Sequence, residues 1–200
     1  MKILFVIVLL LTSVAIVDVS AQSTEATREI PAAKQTSLGL YVTAKEAYEK
    51  WKAAPGQVKV LDVRTPEECL FVGHPEMAWN IPFLFMTHQW DEEKNWYALK
   101  PNRKFVARVK EWAKPKDTIL VMCRSGDRAA KAVDELAKAG FTNVYNIVHG
   151  MEGDSVKDPE NLYDGKRMKN GWKNSGLPWT YKIDRERAWV AEDEKPEADK

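Results

Sequence analysis

TILVMCRSGDRAAKAVDELAKAG, residues 118–140, decides the fold. Its opening segment, TILVMC (118–123), is nearly all apolar, as in a strand buried on both faces of a sheet. Residues 126–139 then place Ala129, Ala130, Val133, Leu136 and Ala137 on one helical face, and Gly140 supplies the C-terminal stop. Between strand and helix lies a short turn carrying Cys123, Arg124, Ser125, Gly126, Asp127 and Arg128.

Working outward, the same alternation continues on both sides. Thr43 and Glu46 have the spacing of a capping box, and Ala47, Trp51 and Ala54 follow at helical intervals, a helix that ends near Pro55 and Gly56. VKVLDV (58–63) and NVYNIV (143–148) have the β-branched content of strands. Residues 66–70 can form one helical turn, and 78–81 a brief extended segment. Strands alternating with helices predict an α/β fold, a parallel sheet with helices on both faces. In such sheets the reactive site lies beyond the carboxyl ends of the strands, where Cys123 falls.

That position has a chemical consequence. The amides of a strand-to-helix turn and of the first helical turn have no intrahelical acceptors, so they can converge on one point as an anion cradle. A thiol there, flanked by Arg124 and Arg128, is expected to ionise below its ordinary range and to act as a nucleophile at neutral pH. Gly126 lets the chain bend where a side chain would obstruct the cradle. A cysteine protease would need a histidine base, and His74, His88 and His149 are scattered along the chain without such a placement. A Cys-x5-Arg phosphatase loop would need arginine at 129; Ala129 stands there and Arg128 comes one place early. A tighter ring of amides suits a single sulfur atom held as a persulfide.

Composition sets the frame. Two hundred residues with a formal net charge of +1 fit one globular domain with extensions and give no sign of a nucleic-acid partner. Residues 1–21 carry Lys2, an apolar run from Ile3 to Leu11 and the small residues Val19-Ser20-Ala21, a signal peptide with cleavage expected before Gln22. The alternative is an uncleaved anchor, but Asp18 shortens the span below the ~20 residues a bilayer needs. The chain is therefore expected to be exported, to the periplasm by preference, with no membrane span after cleavage. In that compartment Cys69 and Cys123 could form a structural disulfide. No CxxC occurs, and a zinc site has little support.

Residues 22–37 are expected to be a flexible lead-in, 38–182 the folded domain, and 183–200 a mostly disordered charged tail. The domain contains an aromatic-rich insert at 83–117, with a helix over 102–113 and a first half that is hard to place. Its aromatics are read as core or lid packing, or otherwise as walls of the cleft or a dock for a protein acceptor. Residues 154–182 form a C-terminal extension, read as a strap pinned by Trp172 and Trp179.

Several short stretches together resemble the rhodanese-like domain family of sulfurtransferases. LDVR (61–64), Glu67 and Glu68, GH (73–74) and NIP (80–82) are similar to its first signature, and CRSGDRA (123–129) to its active-site loop. GFTNVY (140–145) and GMEG (150–153) are similar to its closing strand and turn, so the resemblance spans about residues 38–155. One departure is GHPEMAWNIP (73–82), where the family has Gly-His-Ile-x-Gly-Ala before Asn-Ile-Pro, so this turn must differ.

The resemblance implies a rhodanese-like central parallel sheet and a ping-pong transfer. Cys123 takes the outer sulfur of a small anionic donor such as thiosulfate and hands it to a thiol or cyanide-like acceptor, without metal or organic cofactor. Arg124, Ser125, Gly126, Asp127 and Arg128 would bind the donor. Blander readings stand beside these: Arg124 as a solvated charge, and Arg128 paired with Asp127 or lying on the helix face. Asp62 and Arg64 would organise their turn with Glu67 or Glu68, and His74 would fix the loop to the next strand. Cys69 is read as a small buried hydrophobe, or otherwise as a resolving thiol. The alternative function is a noncatalytic sulfur carrier or protein-binding module using the same loop.

Overall fold

The protein is described by a computed structural model, and the residues it describes are 30–191. Five parallel strands form the central sheet: β1 (Tyr41–Val42), β2 (Val58–Asp62), β3 (Trp79–Asn80), β6 (Thr118–Met122) and β7 (Val144–Ile147), ordered β1-β7-β6-β2-β3. Strand β6 runs through the middle, in register with β2 from Val58↔Thr118 to Asp62↔Met122.

The apolar run of β6 splits by the two-residue period of a strand. Ile119 and Val121 enter a core beneath α3 (Phe105–Trp112) and α4 (Asp127–Lys138), with Phe105, Val109, Ala129, Val133 and Leu136. Leu120 and Met122 enter the opposite core with Ala44 and Ala47 of α1 (Ala44–Ala53) and Trp172 of α5 (Gly171–Asn174). Helices therefore cover both faces, as the α/β reading requires. Thr43 closes its capping box with Glu46, Thr43 Oγ1 accepting from the Glu46 amide at 3.2 Å and Glu46 Oε2 from the Thr43 amide at 2.7 Å.

Helix α2 (Pro66–Val72) is longer than the single turn expected. Its start repeats the Thr-x-x-Glu box with Thr65 and Glu68, and proline occupies the first helical turn, where its missing N–H does no harm. Asp62 and Arg64 pair with each other instead of with Glu67 or Glu68. Both are fully buried, and Arg64 Nε lies 3.0 Å from each Asp62 carboxylate oxygen while Nη2 reaches Gly73 O at 2.9 Å. Burial works against the Arg64 charge, but the adjacent carboxylate more than offsets it, so the guanidinium stays protonated.

The insert resolves into an antiparallel hairpin, β4 (Leu84–Asp91) and β5 (Trp96–Pro101), followed by α3. The hairpin stands off the main sheet as a separate two-stranded ribbon. After β7, a second ribbon pairs β8 (Asp154–Ser155) with β9 (Arg167–Lys169), and the chain then passes through α5. Trp172 is fully buried, edge-on to Tyr48 at 5.9 Å, and its indole N–H donates to Pro178 O at 2.8 Å.

Two boundaries differ from expectation. Within the lead-in, residues 32–34 form a 3-10 turn, and Lys34 is buried with its ammonium 2.8 Å from Asp154. Ser37 holds Asp134 of α4 through its amide and its hydroxyl, at 2.7 and 2.8 Å. At the other end, residues 183–191 return to the domain in place of starting a disordered tail. Asn80 N donates to Arg187 O at 2.8 Å, Arg187 Nη1 donates to Glu76 O at 2.6 Å, and Trp189 packs on Phe85 with ring centres 5.5 Å apart. Trp189 supplies the apolar area that a charged segment alone lacks. The signal-peptide reading of 1–21 and the tail beyond 191 lie outside the described residues.

Candidate active site

Strand β6 ends at Met122 and α4 begins at Asp127, so Cys123 to Gly126 make the turn predicted from the sequence. Gly126 adopts φ 109°, and a Cβ there would sit 2.4 Å from Val148 O. Only glycine fits both the left-handed backbone and the close approach. The Gly126 amide turns inward and donates to Cys123 Sγ at 3.1 Å.

The turn is held from behind. Met151 N donates to Cys123 O at 2.8 Å and Glu152 N to Arg124 O at 2.9 Å, which ties the loop to the GMEG turn. From β7, buried Asn146 donates its side-chain amide to Lys34 O at 2.9 Å and Gly126 O at 3.3 Å. The lead-in thus joins the loop's support through a residue that sequence patterning had placed only in a strand.

A cleft of about 390 Å³ opens in front. Cys123 is 1% exposed and lies on its floor; Arg124, Ser125, Asp127 and Arg128 line it beside the cysteine. Glu68 and Val72 come from α2, Thr65 is the residue that caps it, and Glu152 comes from the GMEG turn. Met86, Trp96 and Leu99 of the hairpin form the remaining wall.

Both arginines have carboxylate partners. Arg128 is bidentate to Glu68 at 2.7 and 2.6 Å, so its partner is Glu68 and not the adjacent Asp127. Burial alone would raise the Glu68 carboxyl, but the hydrogen bonds and charge of Arg128 and the Thr65 amide hold it below the usual glutamate range. Arg128 is raised in turn, burial being outweighed by Glu68. Arg124, more exposed, lies with Nε 3.1 Å from Glu152 Oε1. Sequence reasoning missed the roles of Glu152, Met86 and Leu99, whereas cleft walling was one of the readings given for the insert's aromatics and holds for Trp96. The Thr65/Glu68 box was legible, but no spacing links Glu68 to Arg128.

The second cysteine faces elsewhere. Cys69 and Cys123 are both free thiols, so no structural disulfide joins them. Cys69 is buried against Asp62, its Sγ donating to Oδ2 at 3.6 Å, and burial, followed by the Asp62 charge, pushes this thiol far up. It lines a separate cavity of about 180 Å³ with His74, Ile183 and Trp189. His74 fixes its loop through the backbone, pairing with Thr180, and its Nδ1 donates to Pro75 O at 3.0 Å. Among the described residues no three His, Cys, Asp or Glu side chains gather as a metal site, and no helix is long and apolar enough to cross a membrane.

A parallel α/β domain with a cysteine-bearing turn at the end of its middle strand is the class that fold and cleft define. Residues 43–155 match the rhodanese-like domain family, and the chain belongs to it. Thiosulfate sulfurtransferase 16, chloroplastic, of Arabidopsis thaliana is 37% identical over 92 residues, covering 46% of this chain and 69% of that protein. The senescence-associated protein DIN1 of Raphanus sativus is 36% identical over 92 residues, and the match spans only 45% of its length. Among solved structures, Rv0390 from M. tuberculosis superposes with a TM-score of 0.55 at 26% identity, over 70% of this chain and 96% of that one.

Proposed function

We propose that the protein is a sulfurtransferase with Cys123 as its sulfur carrier. The observation that carries this reading is the donor hydrogen bond of Gly126 to Cys123 Sγ on the floor of a cleft at the carboxyl end of β6. The Cys123 thiolate attacks the outer sulfur of a sulfane donor, an S–S bond forms to the cysteine, and the donor's S–S bond breaks with its electron pair. With thiosulfate the products are the Cys123 persulfide and sulfite. An acceptor such as cyanide or a thiol then attacks the terminal sulfur and releases the Cys123 thiolate. The amide of Gly126 and those of the first turn of α4 cradle the transferred sulfur, while Arg124, Ser125, Asp127 and Arg128 border the donor. The thiosulfate sulfurtransferase name of the Arabidopsis relative agrees with this chemistry.

Thiosulfate-to-cyanide transfer by the purified protein tests the reading. Formation of thiocyanate that disappears in Cys123→Ser supports it; equal rates in the two proteins refute it. A second reading, a carrier that passes sulfur to a protein acceptor, is favoured by the burial of Cys123 and the exposed aromatics of the hairpin. Sulfur loading without turnover on small acceptors selects that reading. Export to the periplasm belongs to the proposal as well, and a mature N-terminus at Gln22 in a periplasmic fraction would support it.

A further inference from the structure

The cleft around Cys123 is poorly suited to a small dianion. Its two arginines face three carboxylates, Glu68, Asp127 and Glu152, and each guanidinium already has a partner at hydrogen-bonding distance. No surplus positive charge is left to attract a doubly charged donor. The space is also large: about 390 Å³ falls within the range of roughly 300–1,000 Å³ that accommodates organic ligands. One side is apolar, built from Met86, Trp96 and Leu99, which are 39, 55 and 37% exposed. Met86 and Leu99 are direct cross-strand neighbours, so the wall is set on a paired ribbon.

We propose that the cleft selects an organic sulfane donor, a thiosulfonate whose aryl or alkyl group lies against Trp96, Met86 and Leu99, over inorganic thiosulfate. This rests on the Cys123 sulfur-carrier reading and names its substrate class. The step balances without an added oxidant: R–SO2–S⁻ and Cys123–S⁻ give Cys123–S–S⁻ and R–SO2⁻. The bond between the sulfonyl and outer sulfurs breaks, and its electron pair leaves on the sulfinate. The donor carries one negative charge in place of two, which fits the carboxylate balance, and its organic group covers apolar surface that thiosulfate leaves wet. Trp96 is then a specificity-determining residue.

The test compares kcat/KM for benzenethiosulfonate and thiosulfate, with cyanide as acceptor, in the full chain and in Trp96→Ala, Trp96→Phe and Cys123→Ser. The expected preference for benzenethiosulfonate is about tenfold or more. Trp96→Ala raises its KM by about tenfold with kcat held, a larger loss than for thiosulfate, and Trp96→Phe restores most of the loss. Equal or better use of thiosulfate, or an equal loss of both donors in Trp96→Ala, overturns the selection while leaving sulfur transfer by Cys123 intact. Failure of both donors to place sulfur on Cys123 overturns the carrier reading itself, and the selection with it.

Discussion

Arg128, in the first turn of α4, sets its two terminal nitrogens on the two carboxylate oxygens of Glu68 in α2, at 2.7 and 2.6 Å. The pair closes one side of the Cys123 cleft and cancels the charge of an arginine that sequence reading assigned to the donor. Glu68→Gln separates these effects, because glutamine keeps the capping box with Thr65 and removes the charge. The variant is expected to lose about 1–3 kcal/mol of stability and to lower the KM for thiosulfate by about fivefold. Thermal unfolding and steady-state kinetics read the two outcomes.

Acid should act through the same carboxylate and through Asp154. For Asp154, burial would raise the carboxyl, but Lys34 and Asn170 hold it below the usual aspartate range. A carboxyl lowered on folding stabilises fully above its unfolded value, and that contribution is lost as pH falls through the folded value. Urea midpoints should therefore be level from neutral pH down to the ordinary carboxylate range and fall below it. Glu68→Gln should show a shallower acid decline than the parent; an identical decline would remove Glu68 from the account.

Gly126→Ala places a methyl group 2.4 Å from Val148 O on a backbone with φ 109°. The loop must shift, taking the amide off Cys123 Sγ. A loss of about 1–3 kcal/mol with most of the sulfur-transfer activity is expected. Gly56→Ala, where an added Cβ meets nothing within 4 Å, should change neither.

Cys69 should be chemically silent, because burial and the neighbouring Asp62 keep its thiol protonated. Brief treatment of the native protein with iodoacetamide should alkylate Cys123 and spare Cys69, as read by peptide mass. Cys69→Ala should cost about 1 kcal/mol and leave sulfur loading of Cys123 within about twofold. Equal alkylation of both cysteines would contradict this.

Local signals carried the fold. TILVM announced a doubly buried strand because both of its side-chain sets meet apolar helices, and Thr43 with Glu46 marked the start of α1. The turn from Cys123 to Arg128 was legible for the same reason, being continuous in the chain. The hairpin was not, since Glu92, Glu93, Lys94 and Asn95 lack the Asn-Gly pair of a tight turn, although Asn95 does adopt φ 49°. Aromatic residues on both sides were the available hint. Contacts distant in sequence, such as Arg128 with Glu68, Asn146 with Lys34 and Arg187 with Asn80, leave no periodic trace. For that reason the partners of the arginines and the docking of residues 183–191 emerge only from the fold.

The most direct measurement is the intact and peptide mass of the protein after exposure to a sulfane donor and removal of the excess. A gain of one sulfur atom on the peptide bearing Cys123, discharged by cyanide and missing from Cys123→Ser, is the expected result. Sulfur that accumulates elsewhere, or a Cys123 that stays unmodified with thiosulfate and benzenethiosulfonate alike, would contradict the account.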